Sequence, residues 1–145
     1  MIRDFSIKDI DAVMKLWLDT NIQAHDFIES SYWNDNFKLV KEMMPQAMIN
    51  ISEFDNKIQG FIGITGDYIA GIFVSNEAQS KGIGKQLLDH VKDTHSKLSL
   101  QVYKKNDRAV RFYLREGFTI SSEQIDETTG EIEFVMEWKK QVYNN

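Results

Sequence analysis

Residues 68–84 read YIAGIFVSNEAQSKGIG, an apolar run followed by the glycine-rich segment QSKGIG. The nearly continuous apolar stretch 68–74 predicts a β-strand that is buried on both faces of a sheet. Beyond the glycines, apolar residues recur at helical spacing, which predicts a helix over about 82–97. The chain therefore passes from a buried strand through glycines into a helix N-terminus, where several backbone N–H groups have no partner.

The glycine-rich segment has the properties of an anion site. Unpaired N–H groups and the helix dipole favour negative charge, and Gly82 and Gly84 let a phosphate approach the backbone. Gln79 stands at the entrance, and Lys81 and Lys85 add positive charge. The segment suits a pyrophosphate, although it is neither a P-loop nor a dinucleotide fingerprint. The alternative is that the glycines only permit a sharp turn and tight packing.

The remaining periodicities give the element order βααβββαβαββ. This order predicts an α/β protein with a mixed, mostly antiparallel twisted sheet flanked by helices. Further strands are predicted at 2–5, 48–53, 58–65, 98–103, 118–122 and 131–138. Further helices are predicted over about 7–20 and 33–44, and after the N-cap Asn106 up to Gly117. No linker or repeat interrupts the pattern, so we expect a single domain over residues 1–145.

The composition argues against several classes of function. With 17 basic and 22 acidic side chains the formal net charge is −5, which disfavours non-specific binding to nucleic acid. The absence of cysteine excludes disulfides, Cys-ligated zinc and thiol nucleophiles. No apolar run approaches the roughly 20 residues that span a bilayer, and the N-terminus does not resemble a signal peptide. We therefore expect a cytoplasmic protein without a nucleic-acid or membrane partner.

A second segment, NDRAVRFYLREGF at residues 106–118, follows one predicted strand later. Together the two segments resemble the GNAT superfamily of N-acetyltransferases. The family's acetyl-CoA loop has the form Gln/Arg-x-x-Gly-x-Gly/Ala, and its later segment reads Asn-x-x-Ala-x-x-Phe-Tyr-x-x-x-Gly-Phe. Every fixed position of both forms is matched here. The element order is similar as well, and the whole chain looks most like small bacterial members that acetylate amines of proteins or peptides.

The resemblance implies acetyl-CoA as a co-substrate and assigns residues to it. The backbone of Phe73 and Val74 would pair with the pantetheine arm, and Asn106 would lie near that arm. The pyrophosphate would be surrounded by Gln79, Lys81, Gly82, Ile83, Gly84 and Lys85. Transfer would be direct, with both substrates bound together, since no nucleophile for a covalent intermediate is recognisable.

The resemblance also assigns Tyr113 as the general acid. Attack of an amine on the thioester expels a thiolate, and a phenol close to the sulfur can protonate it. The base remains open between two alternatives. His25 lies in the irregular region expected to border the acceptor, and a histidine is well suited to proton removal. A water-relayed base is the other alternative, because the strand 68–74 carries no acid.

The acceptor is the part of the function that the sequence leaves open. A protein lysine or N-terminus, a polyamine and an antibiotic amine are all compatible, as is a non-catalytic acyl-CoA-binding module. Four aromatic residues either line an acceptor pocket or only pack in the core, namely Trp17, Phe27, Tyr32 and Trp33. Acidic residues at 126, 127 and 131 either attract a cation or are merely solvated. His90 and His95 are predicted on a helix surface, and no group of residues has the spacing of a metal site.

Overall fold

The computed structural model describes residues 1–141 and has the predicted order of elements. The strands are β1 Ile2–Asp4, β2 Met48–Phe54, β3 Lys57–Thr65, β4 Tyr68–Val74, β5 Lys97–Tyr103, β6 Thr119–Ile125 and β7 Ile132–Lys139. The helices are α1 Ile10–Ala24, α2 Ser30–Met43, α3 Ile83–Lys92 and α4 Asp107–Arg115. All strands form one sheet in the order β1-β2-β3-β4-β5-β7-β6, which is antiparallel except between β4 and β5. No helix in the described part is long and apolar enough to cross a membrane.

The first helix begins later than the sequence predicted, because a 3₁₀ turn at Ile7–Asp9 precedes it. Asp9 accepts a hydrogen bond from the Ser6 backbone at 2.8 Å, as the third residue of a capping box does. The Arg3 guanidinium also binds Asp9 through both terminal nitrogens, at 2.9 and 3.0 Å. This hydrogen-bonded ion pair holds the pKa of the Asp9 carboxyl below its usual range. It thereby ties β1 to the start of α1.

Helix α3 is shorter than predicted and ends at Lys92. His95 therefore lies beyond the helix rather than on its surface. Its Nδ1 is 2.9 Å from the carbonyl oxygen of Val91, and its Nε2 is 3.1 Å from that of Gly66. The ring thus connects the end of α3 to the tight turn between β3 and β4. In that turn Gly66 has a φ of +61°, which suits the first position of a two-residue hairpin turn.

Two apolar clusters occupy opposite faces of the sheet. One lies under α1 and α2 and contains Val13, Met14, Trp17, Trp33, Ile51 and Phe61. The other lies under α3 and α4 and contains Leu87, Leu88, Leu98, Leu100, Phe118 and Met136. Trp17 and Trp33 are thus core residues, each less than a tenth exposed, so the packing interpretation of these two aromatics is the one that holds.

The sheet opens between β4 and β5. Only Tyr68–Ser99 and Ile69–Leu100 pair, although both strands continue beyond them. Ala70 is an extra residue opposite β3, because Gly63 pairs with Gly71 while Ile64 pairs with Ile69. Such a bulge bends a strand, and here it coincides with the end of the β4–β5 ladder.

The prediction that the strand 68–74 is buried on both faces is therefore wrong. Ile69 is buried, but Tyr68 and Ala70 are exposed and the residues from Gly71 to Val74 are only partly covered. The apolar sequence has another cause. Beyond Ile69, no strand within residues 1–141 pairs with this edge of β4, and the strand borders a cavity. Apolar residues that line a cavity and apolar residues in a core give the same sequence signal.

Candidate active site

The cavity at this opening has a volume of about 1150 Å³. It is bordered by the end of α1, the second half of β4, the loop between β4 and α3, and α4. Ten of the predicted site residues line it, namely His25, Phe73, Val74, Gln79, Gly82, Ile83, Gly84, Lys85, Asn106 and Tyr113. Lys81 is exposed and is absent from the cavity lining within residues 1–141. Both sequence motifs thus border one space.

The glycine-rich loop ends at Gly82, which is the N-cap of α3 and has a φ of +79°. A Cβ placed there would meet no described atom within 4 Å. At Gly84 a Cβ would come into ordinary contact with the Phe112 ring, at 3.5 Å. The first N–H groups of α3 have no acceptor within the helix and lie beside this open space. The loop therefore offers an anion both N–H donors and room.

A residue that the sequence interpretation did not assign, Arg108, connects the two motifs. Its Nη1 donates to Oε1 of Gln79 at 2.6 Å, and Gln79 Nε2 donates to the carbonyl oxygen of Val74 at 3.3 Å. Arg108 occupies a variable position of the second motif, so no motif signal marks it. It places a guanidinium beside the loop, where a phosphate oxygen would be a better partner than a neutral amide.

Lys85 lines the cavity, but its ammonium already has partners. Nζ lies 2.9 Å from a carboxylate oxygen of Glu116 and 3.4 Å from one of Asp89. These contacts, the one with Glu116 first, raise the pKa of Lys85. Glu116 is 31 positions away in sequence, so the pairing has no local signal. The charge of Lys85 is consequently shared with two carboxylates.

Tyr113 lies on α4 and borders the cavity while its side chain is almost fully buried. Its ring packs edge-on against Phe112 and Phe118, with centroids 5.2 and 5.5 Å away. Burial raises the pKa of Tyr113 well above that of a free tyrosine, and nearby Tyr68 adds to the effect. The phenol is therefore protonated at neutral pH and can act as a proton donor.

His25 follows the last residue of α1, and its partners determine which nitrogen carries the proton. Nδ1 is 3.0 Å from the carbonyl oxygen of Asn21, which can only accept, so Nδ1 is the donor. Asn106 accepts the Ala109 N–H through Oδ1, which leaves its amide Nδ2 as a donor 3.3 Å from His25 Nε2. Burial lowers the pKa of His25, with the bond to Asn21 opposing it. The imidazole is thus neutral, with its Nε2 lone pair facing Asn106.

A group of aromatic rings packs around His25. The imidazole stacks on Trp33 at 5.1 Å, and Phe27 and Tyr103 pack edge-on against it. The Tyr103 hydroxyl donates to Oδ2 of Asp126 at 2.6 Å. Burial works against the Asp126 charge, yet bonds from Tyr103 and from the Thr128 backbone lower the pKa of Asp126 overall. Phe27 and Tyr32 are half-buried members of this surface.

Asp126 has no cationic partner within 4 Å among the described residues, whereas the Glu131 carboxylate lies 3.1 Å from Lys105. Burial raises the pKa of Tyr32, and the Asp126 charge raises it further. Tyr103 and Asp126 were not predicted to act together because they are 23 positions apart. A carboxylate beside aromatic rings is an arrangement that attracts an ammonium group.

Comparisons with known proteins agree with the geometry. A family model described as an acetyltransferase (GNAT) domain matches residues 22–140. Peptidyl-lysine N-acetyltransferase YiaC of Escherichia coli (strain K12) is 35% identical over 140 residues, which cover 95% of this chain and 96% of YiaC. The apo form of YjaB from Escherichia coli has a similar structure, with a TM-score of 0.84 at 20% identity over 95% of this chain and 96% of YjaB. The structure of PaiA N-acetyltransferase from Thermoplasma acidophilum, solved with coenzyme A, is also similar. Its TM-score is 0.81 at 20% identity, over 97% of this chain and 98% of PaiA. The chain therefore belongs to the GNAT family and is an N-acetyltransferase, as its two motifs predicted.

Proposed function

We propose that this single-domain enzyme transfers the acetyl group of acetyl-CoA directly to the side-chain amine of a lysine in a peptide or protein. The observation that carries the proposal is that the glycine-rich loop, the open edge of β4 and the Tyr113 phenol all border one cavity. An extended chain that carries a pyrophosphate, then amides and then a thioester matches these three features in order. The cytoplasm, where acetyl-CoA is available, is the compartment that we propose.

The donor would lie along the gap between β4 and β5. Beyond Ile69, the free edge of β4 provides peptide groups that can bond the amides of the pantetheine arm near Phe73 and Val74. The first turn of α3 would take the pyrophosphate, with Gly82 providing the space for it. Arg108 would exchange its bond with Gln79 for a phosphate oxygen, since a charged acceptor is the stronger partner.

The chemical step would proceed by direct attack. The neutral amine forms a bond to the carbonyl carbon of the thioester, and backbone N–H groups of β4 stabilise the developing oxyanion. The C–S bond then breaks, and Tyr113 transfers its proton to the departing sulfur. The lysine ammonium loses one proton to water before the attack and the bonded nitrogen loses another after it, because the Nε2 lone pair of His25 faces the Asn106 amide. A proton from water then restores the Tyr113 phenol. Most of the acceleration would come from holding the two substrates in line.

The charge and the aromatic residues near Asp126 favour a cationic acceptor substrate. Asp126, unpaired with any cation in the described part, accepts the hydrogen bond of the Tyr103 hydroxyl, and the aromatic group packs around His25, which lines the cavity. A lysine combines an ammonium group with an apolar stem, and such a side chain fits an aromatic surface that ends in a carboxylate. The similarity to YiaC, whose name specifies peptidyl-lysine, supports the same acceptor class.

The experiment is an acetylation assay with purified protein and a matched set of acceptors. Thiol release and product mass are measured with a lysine-containing peptide, the same peptide with arginine at that position, and spermidine. We expect a mass increase of one acetyl group on the lysine peptide only. Release with spermidine but not with the peptide would indicate a small-molecule enzyme. Calorimetric binding of acetyl-CoA without turnover on any acceptor would indicate a binding module.

A further inference from the structure

The two halves of the sheet are joined by two residue pairs at one end of the gap, and a side-chain contact joins them at the other. Helix α1 packs against β3 and β4, while α4 packs against β5. His25 directly follows α1, and Asn106 is the N-cap of α4. Their contact, 3.3 Å between His25 Nε2 and Asn106 Nδ2, links residues 81 positions apart. It therefore connects a helix of one half to a helix of the other across the cavity.

The hydrogen bonds of this contact form a directed chain. The His25 Nδ1–H donates to the Asn21 carbonyl, which lies in the last turn of α1. His25 Nε2 accepts from Asn106 Nδ2, and Asn106 Oδ1 accepts from the Ala109 N–H in the first turn of α4. Each donor faces an acceptor only when His25 is neutral with its proton on Nδ1. A proton on Nε2 would put two donors face to face.

The ring is also fixed by packing. It stacks on Trp33 with an interplanar angle of 26°, and Phe27 and Tyr103 contact it edge-on at 5.7 and 5.2 Å between centroids. Rotation of the imidazole toward a substrate would give up these contacts and both hydrogen bonds. A group that must bind and release a proton during turnover needs a free lone pair near the amine, whereas this lone pair faces a neighbouring side chain.

We propose that His25 is a positioning residue, which sets the width of the gap between β4 and β5 by holding Asn106 and thereby the first turn of α4. This inference rests on the proposed function, in which the gap receives the pantetheine arm. Because α4 also carries Tyr113, release of Asn106 would disturb the donor site and the proton donor together. His25 would act through Asn106 and would not touch the reacting atoms.

Two substitutions at His25 separate positioning from proton transfer. Gln at this position can accept from Asn106 but cannot act as a base, and Phe can stack on Trp33 but cannot accept. We expect His25→Phe to weaken acetyl-CoA binding about tenfold by calorimetry, as the loss of one hydrogen bond predicts. His25→Gln should stay within about threefold of the wild type in acetyl-CoA affinity and in kcat with a lysine-containing peptide. His90→Gln, a change at an exposed histidine of α3, is the control.

A direct role as base would give the opposite result. Both His25 variants would then lose about 100-fold or more in kcat while acetyl-CoA affinity remained unchanged, and this would overturn the inference. Equal acetyl-CoA binding by His25→Phe and the wild type would overturn it too. Failure of the wild type itself to bind acetyl-CoA would instead contradict the proposed function, and this inference with it. Thermal unfolding of each variant shows whether it is folded.

A further variant tests the role of Asn106, and a spectroscopic measurement tests which nitrogen of His25 carries the proton. Asn106→Ser keeps a capping oxygen for α4 but is too short to reach His25. In a double-mutant cycle, adding His25→Phe to Asn106→Ser should cost less than about twofold in acetyl-CoA affinity. Nitrogen NMR of the His25 ring should show an unprotonated Nε2 whose resonance shifts in Asn106→Ser. Additive effects, or a proton on Nε2, would overturn the inference.

Discussion

The glycine-rich loop and His25 line the same cavity, but the loop and the aromatic surface that packs around His25 are built in different ways. The loop presents backbone N–H groups at the start of α3. At Gly82 the lack of a side chain leaves open space beside them. The aromatic surface consists of side chains from α2, from the segment after α1 and from β5, held by contacts between distant residues. Backbone chemistry leaves a short motif in the sequence, whereas side-chain packing of this kind leaves none.

This contrast explains why the sequence predicted acetyl-CoA as the donor but left the acceptor amine open. A phosphate site of this kind has glycines at fixed offsets, so a short segment suggests it, and the second motif made the prediction specific. An ammonium site needs only aromatic and acidic side chains that meet in space, and many sequences provide these. Substitutions in the glycine-rich loop should accordingly change acetyl-CoA binding, and substitutions near the aromatic surface should change peptide binding.

The largest effect is expected at Tyr113, the proposed proton donor, which lines the cavity. Tyr113→Phe should lower kcat about 10²–10⁴-fold, because the departing thiolate loses its proton donor. The acetyl-CoA affinity should change by less than about twofold, since the hydroxyl makes no hydrogen bond with any residue in the described part. Steady-state kinetics and calorimetry provide the two values.

Tyr68→Phe is the matched control for this prediction. Tyr68 is near Tyr113, but its hydroxyl makes only a 3.4 Å contact with Gln101 and it is more than a third exposed. We expect its kcat to remain within about threefold of the wild type. A Tyr113→Phe enzyme with undiminished turnover would exclude the phenol as the acid.

The sequence predicted the order of elements and, through its two motifs, the family, because these depend on local spacing. It did not predict the gap in the sheet, since an apolar run such as 68–74 looks the same beside a cavity as in a core. Nor did it reveal the pairing of Lys85 with Glu116 or the contact of His25 with Asn106, which join distant residues. Arg108 was missed because it stands at a variable position of its motif.

The second largest effect is expected at the loop. Gly82→Ala should weaken acetyl-CoA binding about tenfold, because the new Cβ would project into the open space where the pyrophosphate is proposed to lie. It should also reduce the free energy of unfolding by about 1–2 kcal/mol, since the φ of +79° disfavours a side chain. Calorimetry and chemical denaturation measure the two changes.

Gly130→Ala separates backbone strain from lost donor binding. Gly130 has a φ of +76°, and a Cβ there would also meet no described atom within 4 Å, but it lies in the turn between β6 and β7. We expect the same loss of stability with an unchanged acetyl-CoA affinity. Equal losses of affinity in the two variants would remove the loop from the donor site.

A smaller effect is expected on the acceptor side. Asp126→Asn keeps the size of the side chain and removes its charge, so KM for a lysine-containing peptide should rise about fivefold. KM for acetyl-CoA should not change. Glu127→Gln removes the same charge one position further on, at an exposed residue, and should alter neither value by more than about twofold. A similar effect of both substitutions would point to general electrostatic attraction instead of a defined site.

The smallest effect concerns pH. Burial lowers the pKa of His25, so the folded protein binds fewer protons than the unfolded chain, whose histidine titrates near 6.5. The His25 contribution to stability should be complete above that pH and decrease as the pH falls through it, by at most about 1.4 kcal/mol per pH unit. Denaturation at pH 7.5 and 5.5 should show a decrease that His25→Gln reduces. The carboxyl of Asp9, whose pKa is lowered by Arg3, matters only near pH 4 and below.

Two residue pairs join β4 to β5, and this short ladder affects how resistant the protein is to degradation in a cell. Peptide groups along the edge of β4 beyond Ile69 do not pair with β5, so acetyl-CoA would complete the sheet as a missing strand would. A ligand at 100 times its Kd adds about 2.7 kcal/mol to stability. Resistance to proteolysis should therefore follow the supply of acetyl-CoA. A cell short of the donor would lose the enzyme as well as its activity.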